Sequence, residues 1–153
     1  VDGRDMMAMA VRAHAPSYAG DVAPSDAWNA LSQNQAAQLI DVRTQAEWSF
    51  TGVPSLVSLS KTVKTISWKL YPTYELNARF IEQLEQAVTD KNAPLYFLCK
   101  TGGRSLDAAV AATAAGYASC YNIDGGFEGD INSNYQRGQV NGWKAARLPW
   151  QQS

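Results

Sequence analysis

The chain predicts an α/β protein with a largely parallel sheet and helices on both of its faces. Short apolar runs at 37–42, 95–98 and 120–123 read as strands covered on both sides. Between them lie segments whose apolar residues recur at helical spacing. Strands that alternate with helices in this way are joined by right-handed crossovers, which makes the sheet parallel.

Taken in order, Ser25 is expected to cap a short helix over 26–33, with Trp28 and Leu31 on one side. The run 37–42 ends in polar Arg43 and Thr44. Gly52 and Pro54 interrupt the chain before a further strand at 56–59. Over 61–75 the periodicity is lost, yet Ile66, Trp68, Leu70, Tyr71 and Tyr74 are too apolar for an idle loop, so the stretch should tuck against the domain. Asn77 should cap a helix over 78–88, where Phe80, Ile81, Leu84 and Val88 share a face. Pro94 opens the strand 95–98, and Cys99 to Gly103 turns into a helix over 104–115 closed by Gly116. With parallel strands, the segments beginning at Arg43, Lys61, Cys99 and Asp124 crowd one rim, where open α/β sheets bind ligands.

A length of 153 residues suits one domain with a real core, here expected over 21–153 behind a flexible arm at 1–20. Apolar residues make up 46% and charged residues 18%, which excludes disorder. Thirteen Lys and Arg scatter against 14 Asp and Glu for a net charge of -1, so a nucleic-acid partner is not expected. No apolar stretch approaches the roughly 18 to 20 residues that span a bilayer, so no membrane partner is expected either. Two cysteines suggest reduced thiols and a cytoplasmic address. A strand of four or five residues separates Cys99 from Cys120 by roughly 13 to 17 Å, too far for a disulfide.

Chemistry concentrates at Cys99, which is followed by Lys100, Thr101, Gly102, Gly103, Arg104 and Ser105. The paired glycines let successive N–H groups turn toward the sulfur and form an anion-binding nest. The start of the next helix and the charges of Lys100 and Arg104 add to the preference for an ionised sulfur. Cys120 reads as a small buried hydrophobe. A dithiol motif, a zinc ligand set and a second histidine for Cys/His catalysis are all missing from the sequence, so no metal or other cofactor is expected.

Four stretches resemble, in order, the signatures of rhodanese-like sulfurtransferase domains. They are Leu39 to Trp48, the loop Cys99 to Ser105, Gly125-Gly126-Phe127-Glu128-Gly129, and Gly142-Trp143-Lys144-Ala145-Ala146-Arg147-Leu148-Pro149. The resemblance implies a three-layer fold with a mostly parallel five-stranded sheet. It also implies a cysteine that takes sulfane sulfur from a donor such as thiosulfate, holds it as a persulfide and passes it to a thiol or a cyanide-like acceptor. A cysteine desulfurase or a thioredoxin-like protein would be the macromolecular partner. The family's phosphatases and arsenate reductases hold five residues between Cys and Arg, whereas this loop holds the four from Lys100 to Gly103. A binding module without activity is the reading from another class, and the retained cysteine favours the enzyme.

Asp41, Arg43 and Glu47 match family positions and are expected to brace the rim, Arg43 pairing with Glu47 or Asp41. Gly52-Val53-Pro54-Ser55-Leu56 is shorter than the family's usual sequence there and lacks its histidine, and 130–141 is a polar insertion with Tyr135, Arg137 and Gly138. This insertion and the aromatic stretch 68–74 are expected either to wall the donor or acceptor site or to cover the sheet edge.

Overall fold

The structure is a computed structural model that describes residues 17–152. In chain order it runs β1 (Gly20–Val22), α1 (Pro24–Gln33), β2 (Gln38–Asp41), α2 (Gln45–Thr51) and β3 (Val53–Pro54). A 3₁₀ turn at Val57–Leu59 precedes β4 (Lys64–Thr65) and the pair β5 (Lys69–Leu70) and β6 (Glu75–Leu76). The remaining elements are α3 (Phe80–Ala87), β7 (Leu95–Leu98), α4 (Gly103–Ala114), β8 (Cys120–Ile123), α5 (Gly142–Ala145) and β9 (Trp150–Gln151). One five-stranded sheet has the order β1-β8-β7-β2-β4, and every pairing in it is parallel.

Alternation along the strands divides the core into two layers. Ile40, Leu95, Phe97 and Cys120 face Phe80 and Leu84 of α3 and Ala108, Ala109 and Ala112 of α4. Leu39, Tyr96, Leu98 and Ile123 face Ala27 and Leu31 of α1, together with Phe127 and Trp143. The small alanine face of α4 allows that helix to lie close on β7 and β8. The three-layer fold with helices on both faces is therefore present as expected, and the cysteine loop leaves the carboxyl end of a central strand.

Several boundaries differ from expectation. Pro24 occupies the first turn of α1 behind Ala23, and no side chain caps it, so Ser25 is inside the helix rather than its cap. The strand expected at 56–59 is the 3₁₀ turn, in which the Leu56 carbonyl accepts from the Leu59 and Lys61 amides. The edge strand is instead β4, and the chain continues along β2 when the Ile66 and Trp68 amides reach the carbonyls of Asp41 and Val42. Lys61 accordingly sits at the opposite end of the sheet, its Nζ on the carbonyls of Asn34 and Ala37 just before β2. Asn77 closes a turn ahead of α3, its Oδ1 accepting from the Arg79 amide, and the helix begins at Phe80.

The arm expected at 1–20 lies outside the described residues for its first sixteen positions. From there the chain joins the domain, with Tyr18 against the core and β1 paired to β8.

Candidate active site

Strand β7 carries Cys99 to the rim, where the residue is only 1% exposed. Its Sγ accepts the Gly102 amide at 3.1 Å and lies 3.2 Å from the Ser105 hydroxyl. Gly102 has φ +117, a conformation that L side chains rarely adopt, and it swings its own N–H back onto a sulfur three residues earlier. Of the two loop glycines only Gly102 takes such a conformation; Gly103, expected in the turn with it, is instead the first residue of α4.

The carbonyls of the loop are held on one side. The Phe127 amide donates to the Cys99 carbonyl at 2.7 Å, and the Glu128 and Gly129 amides donate to that of Lys100 at 3.0 and 3.2 Å. A trans peptide points its N–H away from its C=O, so the amides of Lys100 and Thr101 face away from this brace. Those two amides and the ones of Gly103, Arg104 and Ser105 donate to no acceptor among the described residues. The last three are the free donors of the α4 N-terminus, where the helix dipole also favours an anion. The brace is itself held by α5, whose Trp143 and Lys144 amides bond the carbonyls of Gly126 and Phe127.

Arg104 turns to α2, its Nη1 and Nη2 donating to Glu47 Oε1 and Oε2 at 2.7 and 2.8 Å. Burial alone would raise the Glu47 carboxyl, but the hydrogen bond from Arg104 and those from Thr44 outweigh it and lower the pKa to about 2. A carboxyl held that low contributes stability in full above its ordinary pKa, and loses it as pH falls toward 2. Glu47→Gln is therefore expected to cost on the order of 2 kcal/mol near neutral pH and to flatten the loss of stability between about pH 4.5 and 2. Thermal unfolding across that range checks this, and a variant that keeps the wild-type acid slope would contradict it.

Arg43 does not reach Glu47. Of its two expected partners it takes Asp41, both side chains fully buried and 2.7 Å apart, and it also donates to Thr51 Oγ1 and the Gly52 carbonyl. Its guanidinium stacks 4.3 Å over Phe127, which links the end of β2 to the brace. These residues hold the loop and lie away from the sulfur. Lys100 forms no ion pair among the described residues, and Thr101 is exposed. Cys120 is unbridged, as is Cys99, and burial pushes its thiol up.

Trp68 is partly buried edge-on to Phe80, 5.0 Å away, whereas Tyr71 and Tyr74 stay exposed and Tyr74 lies 6.0 Å from the Arg104 guanidinium. The 130–141 insertion is tied to the brace, Gly138 N–H donating to the Glu128 carbonyl and Arg137 to that of Gly129. Two residues near the sulfur escaped the sequence reading. Asn122 of β8 accepts the Ser105 hydroxyl at 2.5 Å, and its Nδ2 donates to Asp21 of β1 at 3.1 Å. A polar residue inside an apolar strand was the available signal for Asn122; Asp21 carried none.

A parallel sheet whose central strand ends in a glycine-rich cysteine loop, braced by the Gly125–Gly129 turn and a Trp-Lys helix, is the architecture of a rhodanese-like domain. A family model described as the STR4 middle domain matches residues 19–153. Uncharacterized protein RC0915 of Rickettsia conorii is 39% identical over 132 residues, covering 86% of this chain and 96% of that protein. The thylakoid rhodanese-like chloroplastic protein of Oryza sativa subsp. indica is 29% identical over 132 residues, a quarter (25%) of its own length and 86% of this chain. The crystal structure of Rv0390 from M. tuberculosis has a TM-score of 0.82 at 43% identity, over 89% of this chain and 99% of that one. The polysulfide-sulfur transferase homodimer from Wolinella succinogenes shares the fold, with a TM-score of 0.63 at 22% identity over 99% of this chain and 90% of its own. The chain belongs to the STR4 middle-domain family of rhodanese-like domains.

Proposed function

We propose that the protein is a sulfurtransferase that carries sulfane sulfur as a persulfide on Cys99. The observation that carries this reading is the set of unengaged amides in the loop of a cysteine whose own carbonyl and that of Lys100 are held by the brace. Such a ring suits a small anion and a reacting sulfur in equal measure. The Cys99 thiolate attacks the outer sulfur of thiosulfate; the new S–S bond forms as the old one breaks, and sulfite leaves with the electron pair. The persulfide's terminal sulfur carries the negative charge toward the open amides. A thiolate or cyanide then attacks that sulfur, which leaves as part of the acceptor and returns Cys99 as a thiolate.

Two features favour sulfur over phosphoryl transfer. The loop has four residues between Cys99 and Arg104, and the Arg104 guanidinium is occupied by Glu47 rather than free to grip a phosphoryl oxygen. Lys100, which forms no ion pair among the described residues, would attract a dianionic donor. A cysteine desulfurase is the protein counterpart of thiosulfate as donor, and a thioredoxin-like protein is an acceptor of matching chemistry. The reducing cytoplasm, where a thiolate persists, is the compartment this chemistry fits. No helix among the described residues is long and apolar enough to cross a membrane.

Thiocyanate formation from thiosulfate and cyanide tests the reading. Turnover is expected to vanish in Cys99→Ser and to persist in Cys120→Ser, whose thiol is buried on the same layer but beside Leu95, at the other end of β7 from Cys99. Equal turnover in Cys99→Ser and wild type would remove it.

A further inference from the structure

The Ser105 hydroxyl stands between two acceptors and has one proton to give. Its Oγ is 2.5 Å from Asn122 Oδ1 and 3.2 Å from Cys99 Sγ. Which way the Asn122 amide faces is fixed from outside the core. Asp21 Oδ1 accepts Asn122 Nδ2 at 3.1 Å and the Tyr18 hydroxyl at 2.9 Å, and a carboxylate offers acceptors alone. The Asn122 oxygen is thereby presented to Ser105.

We propose that Asp21 and Asn122 are positioning residues that draw the Ser105 proton away from Cys99 and so restrain the sulfur's reactivity in the resting protein. With its proton on Asn122, Ser105 shows the sulfur a lone pair, which complements S–H and opposes an ionised sulfur. An anionic sulfur recovers that proton only when the shorter bond breaks and leaves the Asn122 oxygen, in a residue only 5% exposed, without its donor. An amide passes no proton without tautomerising, so the chain from Asp21 to Cys99 orients a hydroxyl and conducts nothing. The other charged and titratable groups around the sulfur are Lys100 of the loop, Arg104 of α4 with Glu47 of α2 upon it, and Tyr74 of the hairpin beyond Arg104. None of them touches Ser105 or Asn122 by a hydrogen bond. The inference rests on the sulfur-transfer reading in taking Cys99 Sγ as the reacting atom.

The test is iodoacetamide alkylation of Cys99 in the full chain, followed by intact mass across pH, with Cys120→Ser as the background. Asn122→Ala is expected to speed alkylation roughly fivefold on the acidic side of the profile, the worth of one net hydrogen bond, and to move the profile to lower pH. Asp21→Asn, at an exposed residue, should shift it the same way by less. In a Ser105→Ala background, Asn122→Ala should change nothing. Alkylation at or below the background rate in Asn122→Ala with unchanged melting overturns the proposal, as does a gain that survives without Ser105. Where Asn122→Ala fails to fold, Asp21→Asn decides alone: a faster rate supports the proposal and an equal or slower one overturns it. Failure of the unsubstituted protein to take sulfur from thiosulfate would count against sulfur transfer and leave this comparison of rates intact.

Discussion

Gly126→Ala is expected to lower sulfur transfer by roughly 10²- to 10³-fold, the scale associated with losing pre-aligned anion donors or displacing them by about 1 Å. Gly126 has φ +62, and a Cβ there would stand 2.5 Å from the Cys99 carbonyl oxygen and 2.6 Å from the Lys100 carbonyl carbon and oxygen. Those atoms are main chain and have no rotamer to yield. Relief requires the cysteine loop to move off its brace, which breaks the bonds from Phe127, Glu128 and Gly129 and lets the amides rotate away from the sulfur. The accompanying loss of stability is about 1–3 kcal/mol, the cost of a strained backbone at one residue. Steady-state transfer measured beside thermal unfolding separates the two effects. An alanine variant with unchanged turnover would show that the brace does not position the loop.

Arg43→Met should destabilise the fold by about 3–5 kcal/mol. Removing the guanidinium strands the Asp41 carboxylate at 0% exposure and leaves Thr51 Oγ1 and the Gly52 carbonyl without their donor. It also removes the cation above Phe127, next to the brace. For a chain of this size the loss corresponds to a fall in melting temperature of roughly 10 °C or more. Replacing both partners, as Asp41→Asn with Arg43→Met, should recover part of it, because no buried charge is then left alone. Calorimetry on the single and double variants reads both outcomes. A single variant within 1 °C of wild type, on the order of the spread between replicate scans, would show that the pair adds nothing to stability.

The strands were legible where their residues were apolar on both faces. Leu95–Leu98 forms where expected because burial on two sides favours an unbroken apolar run, and Cys120–Ile123 does so with Asn122 as its one polar member. The edge strands were not legible. Gly20–Val22 and Lys64–Thr65 are short and polar, and they exist because a neighbouring strand offers its free carbonyls and amides. The reading favoured 56–59 because its leucines are apolar, yet Val57 is 74% exposed there. Helix α2 had a signal that went unused: Thr44 and Glu47 stand in capping-box spacing, and both halves of the box are formed.

At the site, the loop itself was readable from its paired glycines, whereas its supports were not. Glu47 and Arg104 are 57 positions apart, and only the fold shows that they meet and that Arg43 keeps to Asp41. The Gly125–Gly129 turn looked like a signature without a task. Its task is to hold two carbonyls, a role that depends on main-chain geometry rather than on side-chain identity.

The most direct measurement is the intact mass of the reduced protein after incubation with thiosulfate and removal of excess reagent. One added sulfur is expected in the wild type and in Cys120→Ser, removable by cyanide and lost in Cys99→Ser. A wild-type mass unchanged by thiosulfate, or an adduct that survives in Cys99→Ser, would contradict a persulfide on Cys99.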